Sequence, residues 1–251
     1  MDPSPLEPAL AKLRTALNDA QHVVVLTGSG VSAESKIPTF RDAMEGLWKD
    51  FDPQTLATPE AFEADPGRVT RWYDWRRLKC AEAQPNPGHL ALAEIQTQTL
   101  ARGASFTLLT QNVDGLHQRA GSTDVVELHG SIMAWRGVDS GEPAELPEGP
   151  FESFPPTSAS GEIIRPSVVW FGEMLPEEAL RRSFDALERC DLFMTIGTSS
   201  VVHPAAGFVH NARANDAFIA EVNPDDTPIS PLVNTTIRAK SGEALPLLLR
   251  A

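Results

Sequence analysis

Short apolar runs alternate with helical patterns along most of the chain. Runs of four or five residues predict strands at 22–26, 106–110, 125–128, 168–171, 192–196, 218–222 and 235–238. Helical periodicity lies between them at 68–83, 89–97, 176–189 and 205–214, and Leu6, Leu10, Leu13 and Leu17 predict a first helix with one apolar face. Strands that alternate with helices at this pace predict an α/β fold with a mostly parallel sheet.

One stretch departs from this alternation. Residues 141–161 hold five prolines and four glutamates and contain no lysine or arginine. This composition predicts an irregular loop, which we expect to close its part of the fold by packing alone.

Composition and charge narrow the classes of function. The 251 residues include 34 Asp plus Glu against 21 Lys plus Arg, a formal net charge of −13. Such a surface repels phosphate backbones and attracts Lys-rich protein segments, so we expect no nucleic-acid partner. No apolar run approaches the ~18 residues of a membrane span, and no signal or transit pattern is present, which predicts a cytoplasmic protein with no membrane partner. The two cysteines, Cys80 and Cys190, are too few for a disulfide framework or a four-cysteine zinc site.

The first predicted strand runs into a glycine turn, GSGVSA (28–33), which satisfies the pattern G-x-G-x-x-G/A. Glycines there let backbone N–H groups approach a pyrophosphate at a helix N-terminus. The pattern alone is also typical of a plain strand-to-helix turn. In addition, a Pro-containing segment (37–42, IPTFRD) follows where a dinucleotide fold usually has a second strand ending in an acidic residue.

Three further polar segments follow predicted strands: TQNVDGLH (110–117), ELHG (127–130) and GTSS (197–200). In open α/β sheets, ligands bind outside the carboxyl ends of the strands. We therefore expect these segments and the glycine turn to converge on one crevice suited to phosphate.

Together these segments resemble the sirtuins, the NAD-dependent protein-lysine deacylases. The matching segments, in the family's order, are TGSGVSAESKIPTFRD (27–42), TQNVDGLH (110–117), ELHGS (127–131), RPSVVWFGE (165–173), IGTSS (196–200), PAAGF (204–208) and EVNP (221–224). The resemblance implies a Rossmann-like domain at about 1–40, 84–130 and 167–251, and a smaller inserted module at about 41–83 and 131–166. NAD and acyl-lysine would bind in the cleft between them.

The resemblance also implies an NAD site. The residues implied to contact NAD are Gly28, Ser29, Gly30, Ser32, Ile37, Phe40, Arg41, Gln111, Asn112, Asp114, Gly197, Thr198, Ser199, Asn223 and Ser241. Ser29 stands where the family usually has alanine, and Lys36 where it usually has glycine. If position 36 requires a positive φ, lysine is mildly strained there, and we expect it to be exposed and without a catalytic role.

His129 is the predicted general base, and Asn112 would bind the nicotinamide ribose and its ordered water. By the family's mechanism the acyl oxygen attacks the ribose of NAD, nicotinamide leaves, and free lysine and O-acyl-ADP-ribose are released. A pKa near 6.5 suits an imidazole base at neutral pH. The remaining histidines are expected to cap, pack or face solvent, except His203, which replaces a tyrosine common in the family and has no assigned role.

Two features concern the acyl-lysine substrate. Val168, Val169, Trp170, Phe171, Gly172 and Glu173 are implied to pair as a strand with the substrate backbone. Arg76 is a charge on an otherwise apolar helix face, three residues after Tyr73, the only tyrosine. It could reach solvent or pair with an acid, or its guanidinium could bind a carboxylate. Tyr73-x-x-Arg76 and the small Ala57 resemble sirtuins that remove succinyl, malonyl or glutaryl groups, which predicts cleavage of acidic acyl groups in preference to acetyl.

Sirtuins usually carry two cysteine pairs for zinc, and here the matching positions hold Gly137, Ser140, Thr157 and Ser160. Hydroxyl groups are poor zinc ligands, so the sequence predicts no zinc site. Two alternatives to the deacylase remain open: an NAD hydrolase or ADP-ribosyl transferase, and a non-catalytic sensor that binds NAD or ADP-ribose. The oligomeric state is not predicted.

Overall fold

The computed structural model of the protein describes residues 5–37 and 53–250. Phe40 and Arg41, which the resemblance implies to contact NAD, lie outside this range. No helix in the described part of the chain is long and apolar enough to cross a membrane.

The helices and strands follow one another as the sequence predicts over most of the chain. The helices are α1 (Glu7–Asp19), α2 (Ser29–Ser32), α3 (Pro53–Leu56), α4 (Pro59–Ala64), α5 (Pro66–Glu82), α6 (Pro87–Ala101), α7 (Leu116–Arg119), α8 (Glu177–Leu187), α9 (Phe208–Ala214) and α10 (Ser241–Leu248). The strands are β1 (His22–Thr27), β2 (Ser105–Thr110), β3 (Val126–Glu127), β4 (Gly130–Gly137), β5 (Pro143–Ala144), β6 (Ile164–Val168), β7 (Leu192–Ile196), β8 (Phe218–Val222) and β9 (Thr235–Ile237).

The larger sheet has six parallel strands in the order β3-β2-β1-β7-β8-β9. Its strands are buried on both faces, because α1, α6 and α10 cover one face and α8 and α9 cover the other. In β1, Val23 and Val25 pack into the first of these cores, while Val24 and Leu26 pack into the second. A strand covered on both sides reads as a continuous apolar run. The predicted α/β fold with a mostly parallel sheet is confirmed.

A smaller three-stranded antiparallel sheet, in the order β5-β4-β6, packs with α5 around a third core. Two sequence interpretations are wrong here. The strand predicted at 168–171 lies earlier, at Ile164–Val168, and β4 was not predicted at all. The register of β4 against β6 shifts between Ser131 and Trp135, and this irregularity hides the alternation that marks a half-buried strand.

Helix α5 buries more than its predicted apolar face. Besides Tyr73, the side chains of Asp74 and Arg77 are buried, whereas Arg76 is only half-buried. Periodicity of apolar residues cannot find a buried ion pair, because its members read as surface residues.

Candidate active site

The polar turns at the ends of the parallel strands meet at one edge of the larger sheet, as predicted. The turn after β1 packs on the turn after β7, where the N–H of Gly30 donates to the carbonyl of Gly197 at 2.8 Å. A Cβ atom at position 30 would lie 2.7 Å from that carbonyl oxygen, so this approach requires glycine. The N–H of Gln111 after β2 donates to the carbonyl of Thr27 at 3.0 Å, which joins the second turn to the first.

A buried hydrogen-bonded cluster connects three of the predicted site residues. Ser32 Oγ donates to Asp114 Oδ2 at 2.7 Å. Asn112 Nδ2 donates to Ser32 Oγ and to the carbonyl of Gly28, both at 3.1 Å. The other carboxylate oxygen of Asp114 accepts from the N–H of Leu116 at 2.9 Å. These bonds fix the side chains of Asn112 and Asp114 beside the glycine turn.

Two histidines support this cluster from beneath. His89 and His117 pack with ring centroids 4.9 Å apart, and both are buried. His117 Nε2 lies 2.9 Å from Thr27 Oγ1, and His89 forms a capping box with Asn86 at the start of α6. Burial lowers the pKa of His89 to about 4 and that of His117 to about 3. Both are therefore neutral at pH 7, in agreement with the prediction that they cap and pack.

The remaining predicted cofactor residues lie around the same strand ends. Gln111 Nε2 donates to Thr198 Oγ1 at 2.9 Å, and Asn223 Nδ2 donates to the carbonyl of Thr198 at 2.8 Å. Ser29 is exposed in the first turn of α2, and Ile37 and Ser199 are half-buried. Ser241 begins α10 and is buried, with its hydroxyl 3.5 Å from Glu34 Oε2. Lys36 is exposed and has φ 62°, the left-handed conformation considered from the sequence.

His129 follows β3 after one residue and is partly buried. Its Nδ1 atom lies 3.0 Å from the carbonyl oxygen of Gln111. A carbonyl accepts only, so Nδ1 carries a proton and the lone pair of the neutral ring is on Nε2. Burial lowers the pKa of His129 below its ordinary value, and the bond to Gln111 opposes that shift.

Tyr73, Ala57 and Trp170 share the core of the smaller module. The Tyr73 and Trp170 ring centroids are 6.3 Å apart, and the carbonyl of Ala57 accepts from the N–H of Phe171 at 2.9 Å. Arg76 lies over the Trp72 ring, with Cζ 4.9 Å from the centroid. Burial raises the pKa of Tyr73 to about 12, against the opposing effect of the Arg76 charge. The tyrosine is thus a neutral hydroxyl donor at pH 7.

An ion pair that sequence reasoning missed holds the segment 168–173. Arg165 binds the carboxylate of Glu173 through two hydrogen bonds of 2.6 and 3.0 Å, and its Cζ lies 3.3 Å from the Trp170 ring centroid. The N–H of Val169 donates to the carbonyl of His129 at 2.9 Å, and the N–H of Trp170 donates to Glu173 at 2.8 Å. The charge-matched spacing of eight residues in RPSVVWFGE is the only sequence signal for this pair.

The four positions that match the family's zinc cysteines do not fit a zinc ion. Glu162 lies at the first pair, where its carboxylate accepts from the N–H groups of Asp139 (2.7 Å) and Ser140 (2.8 Å) and from the Ser140 hydroxyl (2.7 Å). A Cβ atom on Gly137 would lie 2.4 Å from Glu162 Oε2, so a longer side chain there would displace the carboxylate. The described residues contain no cluster of three or more His, Cys, Asp or Glu side chains placed to hold a metal ion.

The strand ends do fit a dinucleotide. They bring together hydroxyl, carboxamide and backbone N–H groups around a turn that excludes side chains, and these groups suit diphosphate and ribose.

Comparison with known proteins agrees with this geometry. The Sir2 family profile matches residues 28–204. The chain belongs to the Sir2 family. A Thermus thermophilus protein named NAD-dependent protein deacylase is 49% identical over 240 residues, covering 96% of this chain and 94% of the relative. A namesake from Methylococcus capsulatus is 44% identical over 248 residues, covering 96% of each chain.

Solved structures of Sir2 proteins match over the same length. The crystal structure of a Sir2 homologue in complex with NAD has a TM-score of 0.88 at 43% identity, covering 96% of this chain and 92% of that one. A Sir2 variant with deacetylated p53 peptide and 3′-O-acetyl ADP-ribose has a TM-score of 0.83 at 28% identity, covering 96% and 97%.

Proposed function

We propose that this Sir2 protein is an NAD-dependent protein deacylase that favours succinyl- or malonyl-lysine over acetyl-lysine. Deacylation is supported by relatives that carry this name at 44–49% identity over nearly the whole chain. The acidic preference is supported by one observation: Tyr73 and Arg76 lie one turn apart on α5, in the module whose core includes Ala57.

The chain's own groups are suited to the reaction. NAD supplies a ribose carbon that accepts the acyl oxygen as nicotinamide leaves. His129 holds its Nδ1 proton on Gln111, so Nε2 is the atom that takes a proton from a ribose hydroxyl. Both hydrogens of Asn112 Nδ2 are used within the chain, which leaves its carboxamide oxygen to hold the ribose and its water.

The acidic acyl group would meet two complementary donors. Arg76 offers a charged planar fork. Tyr73 offers a neutral hydroxyl donor, since the ordinary pKa of a phenol, about 10, already lies well above pH 7 and burial raises that of Tyr73 to about 12. Ala57 is buried in the same core as Tyr73, and its small side chain favours a wider acyl pocket than a larger residue would allow. A carboxylate bound by a half-buried guanidinium is partly desolvated, so removing the guanidinium would cost much of the binding free energy of the acyl group.

Arg76→Met tests the acyl preference. We expect kcat/KM for a succinyl-lysine peptide to fall by a factor that corresponds to about 2–5 kcal/mol of lost transition-state stabilisation. The kcat/KM for the same peptide carrying acetyl-lysine should change little. Arg71→Met is the matched control, since Arg71 is an exposed arginine on the same helix. A wild-type preference for acetyl-lysine, or an equal loss on both substrates, would contradict the acidic preference and leave the deacylase assignment standing.

Mass spectrometry of an acyl-lysine peptide with and without NAD separates the deacylase from the two alternatives. We expect NAD-dependent acyl loss together with nicotinamide and O-acyl-ADP-ribose, all abolished in His129→Ala. Nicotinamide release without any acyl-peptide dependence would indicate a hydrolase or ADP-ribosyl transferase. Binding of NAD with no turnover would indicate a sensor.

We also propose that the domain boundaries lie as the resemblance implies, which the separate core around α5 and the smaller sheet supports.

We propose further that the smaller module folds without structural zinc. The hydroxyl and glycine positions around Glu162 support this, because they offer no thiolate or imidazole. Elemental analysis of the purified protein should find no stoichiometric zinc, and one tightly bound zinc per chain would contradict it.

A further inference from the structure

Helix α5 carries a fully buried ion pair beside the proposed acyl pocket. Asp74 and Arg77 are 2% and 3% exposed. Arg77 donates to Asp74 Oδ1 from Nε at 2.9 Å and from a terminal nitrogen at 2.7 Å. Exposed pairs at this spacing, such as Lys79 and Glu82 one turn later, contribute little. A buried pair persists only when its remaining donors and acceptors are satisfied.

The Pro-rich loop supplies those partners. Arg77 also donates to the carbonyls of Pro147 (3.0 Å) and Gly149 (2.6 Å). Asp74 Oδ2 accepts from the N–H of Phe151 at 3.1 Å. The Phe151 ring lies 5.3 Å from Arg77 Cζ and 4.9 Å from the Trp135 ring. The loop is therefore held by buried charge as well as by packing, and the expectation of packing alone is wrong.

The two pairs of residues on α5 alternate along the chain. Tyr73 and Arg76 form the proposed pocket pair. Asp74 comes directly after Tyr73, and Arg77 comes directly after Arg76. One residue is a rotation of about 100° around the helix, so the two pairs occupy neighbouring faces of the same turn. Whatever fixes Asp74 and Arg77 against the loop also fixes the rotation of the turn that presents Tyr73 and Arg76.

We propose that Asp74 and Arg77 are positioning residues for the acyl pocket, fastening residues 147–151 to α5 in a module whose family zinc positions fit no metal. This inference rests on the proposed function, because it assumes that Tyr73 and Arg76, on the same helical turn, bind the acyl group. Neither residue touches the substrate. Their effect reaches the reaction through the orientation of Tyr73 and Arg76.

The double variant Asp74→Leu, Arg77→Met tests the proposal, because it removes both charges and leaves no unpaired ion in the core. We expect it to fold with wild-type circular dichroism and an unfolding midpoint near that of wild type. Hydrogen exchange at the Phe151 amide should become about tenfold faster, since its acceptor is gone. KM for the succinyl-lysine peptide should rise about tenfold. The kcat and the KM for NAD should stay near wild type, because the side-chain hydrogen bonds of Asp74 and Arg77 in the described part of the chain go to each other and to residues 147–151.

Arg77→Lys provides the conservative comparison, and Arg71→Met the control. Lysine keeps the charge and reaches fewer of the three acceptors, so its peptide KM should lie between those of wild type and the double variant. Arg71 also contacts the Pro-rich loop, with its Cζ atom 5.0 Å from the centroid of the Phe154 ring, but it is exposed. Arg71→Met should therefore change none of these readouts.

Two results would overturn the proposal. One is a wild-type peptide KM in a folded double variant, whatever the rate of Phe151 exchange; the other is a KM for NAD that rises together with that for peptide. If the double variant does not fold, a wild-type peptide KM in Arg77→Lys overturns it instead. Failure of the proposed function is recognised separately, because it shows in wild type as an acetyl-lysine preference or as no turnover. Failure of the positioning role shows only in the variants, with the succinyl preference of wild type intact.

Discussion

The Nδ1 atom of His129 lies 3.0 Å from the backbone carbonyl oxygen of Gln111. This hydrogen bond joins the residue proposed as general base to the turn that also carries Asn112. It fixes the tautomer, so that the basic lone pair is on Nε2. It also fixes the orientation of the ring, since a 180° flip would place the Cδ2–H group against the carbonyl and lose this hydrogen bond.

The first prediction concerns the pH dependence of catalysis. Burial lowers the pKa of His129, so the imidazole stays neutral to a pH below its ordinary value of about 6.5. We expect kcat/KM to be flat around neutral pH and to fall in acid through an apparent pKa below about 6.5. Steady-state assays from acid to neutral pH measure this limb. A limb centred above 6.5 would contradict the assignment.

The second prediction concerns the residue after that histidine. Gly130 has φ +71°, and a Cβ atom there would lie 2.1 Å from the carbonyl oxygen of Ser167 on the neighbouring strand. Gly130→Ala should therefore push β4 from β6, lower the unfolding midpoint strongly and reduce activity by moving His129. Gly103→Ala is the control, because Gly103 has φ +84° but a Cβ atom there would meet nothing within 4 Å. Equal stability of the two variants in urea unfolding would show that the close contact is relieved without cost.

The third prediction concerns Lys36, an exposed residue with φ 62°. Side chains with a Cβ atom are disfavoured in this conformation by about 1–2 kcal/mol. Lys36→Gly should raise the free energy of unfolding by up to about 1 kcal/mol, after subtraction of the extra backbone entropy of glycine. Lys36→Ala removes the same long side chain and keeps the Cβ atom, so it should leave stability close to wild type. A stabilisation of equal size in both variants would trace the effect to the lysine charge.

How far the sequence predicts this molecule depends on the kind of interaction. β1, β7 and β8 are visible because strands covered by helices on both faces are continuous apolar runs. The polar turns that follow them converge because parallel strands end at one edge. β4 escapes detection because its irregular register breaks the alternating pattern.

Buried charge is the other class that sequence reasoning misses. Arg77 and Arg165 look like surface residues in a one-dimensional pattern. Their acid partners are close in sequence, three and eight residues away, but their burial is set by the tertiary fold. Arg76, chosen as the anomalous charge of the helix, is half-buried, whereas its neighbour Arg77 is 3% exposed. The side chains of adjacent helix residues point about 100° apart, so one of two neighbouring arginines can face the core while the other faces the proposed pocket.

The last prediction follows from the two buried histidines under the active-site cluster. Burial lowers the pKa of His117 to about 3, and that of His89 to about 4 despite the opposing charges of Asp114 and Glu34. In the unfolded chain both titrate near the ordinary value of about 6.5. Between these values the unfolded state binds more protons than the folded state, so the free energy of unfolding rises with pH. Stability is thus full above about pH 6.5 and is lost as the pH falls towards 4 and 3.

His117→Gln isolates one of these titrations, because glutamine keeps a donor for Thr27 Oγ1 and has no proton to gain. Urea unfolding of both proteins between about pH 4 and 6 should give a shallower pH slope for the variant, by up to about 1.4 kcal/mol per pH unit for the one proton removed. The carboxylates that also titrate in this range are the same in both proteins and cancel in the difference. Absolute stability falls in the variant through lost packing with His89, but this loss does not change the pH slope. Parallel curves for the two proteins would mean that His117 gains its proton equally in the folded and unfolded states, contrary to a buried, neutral ring.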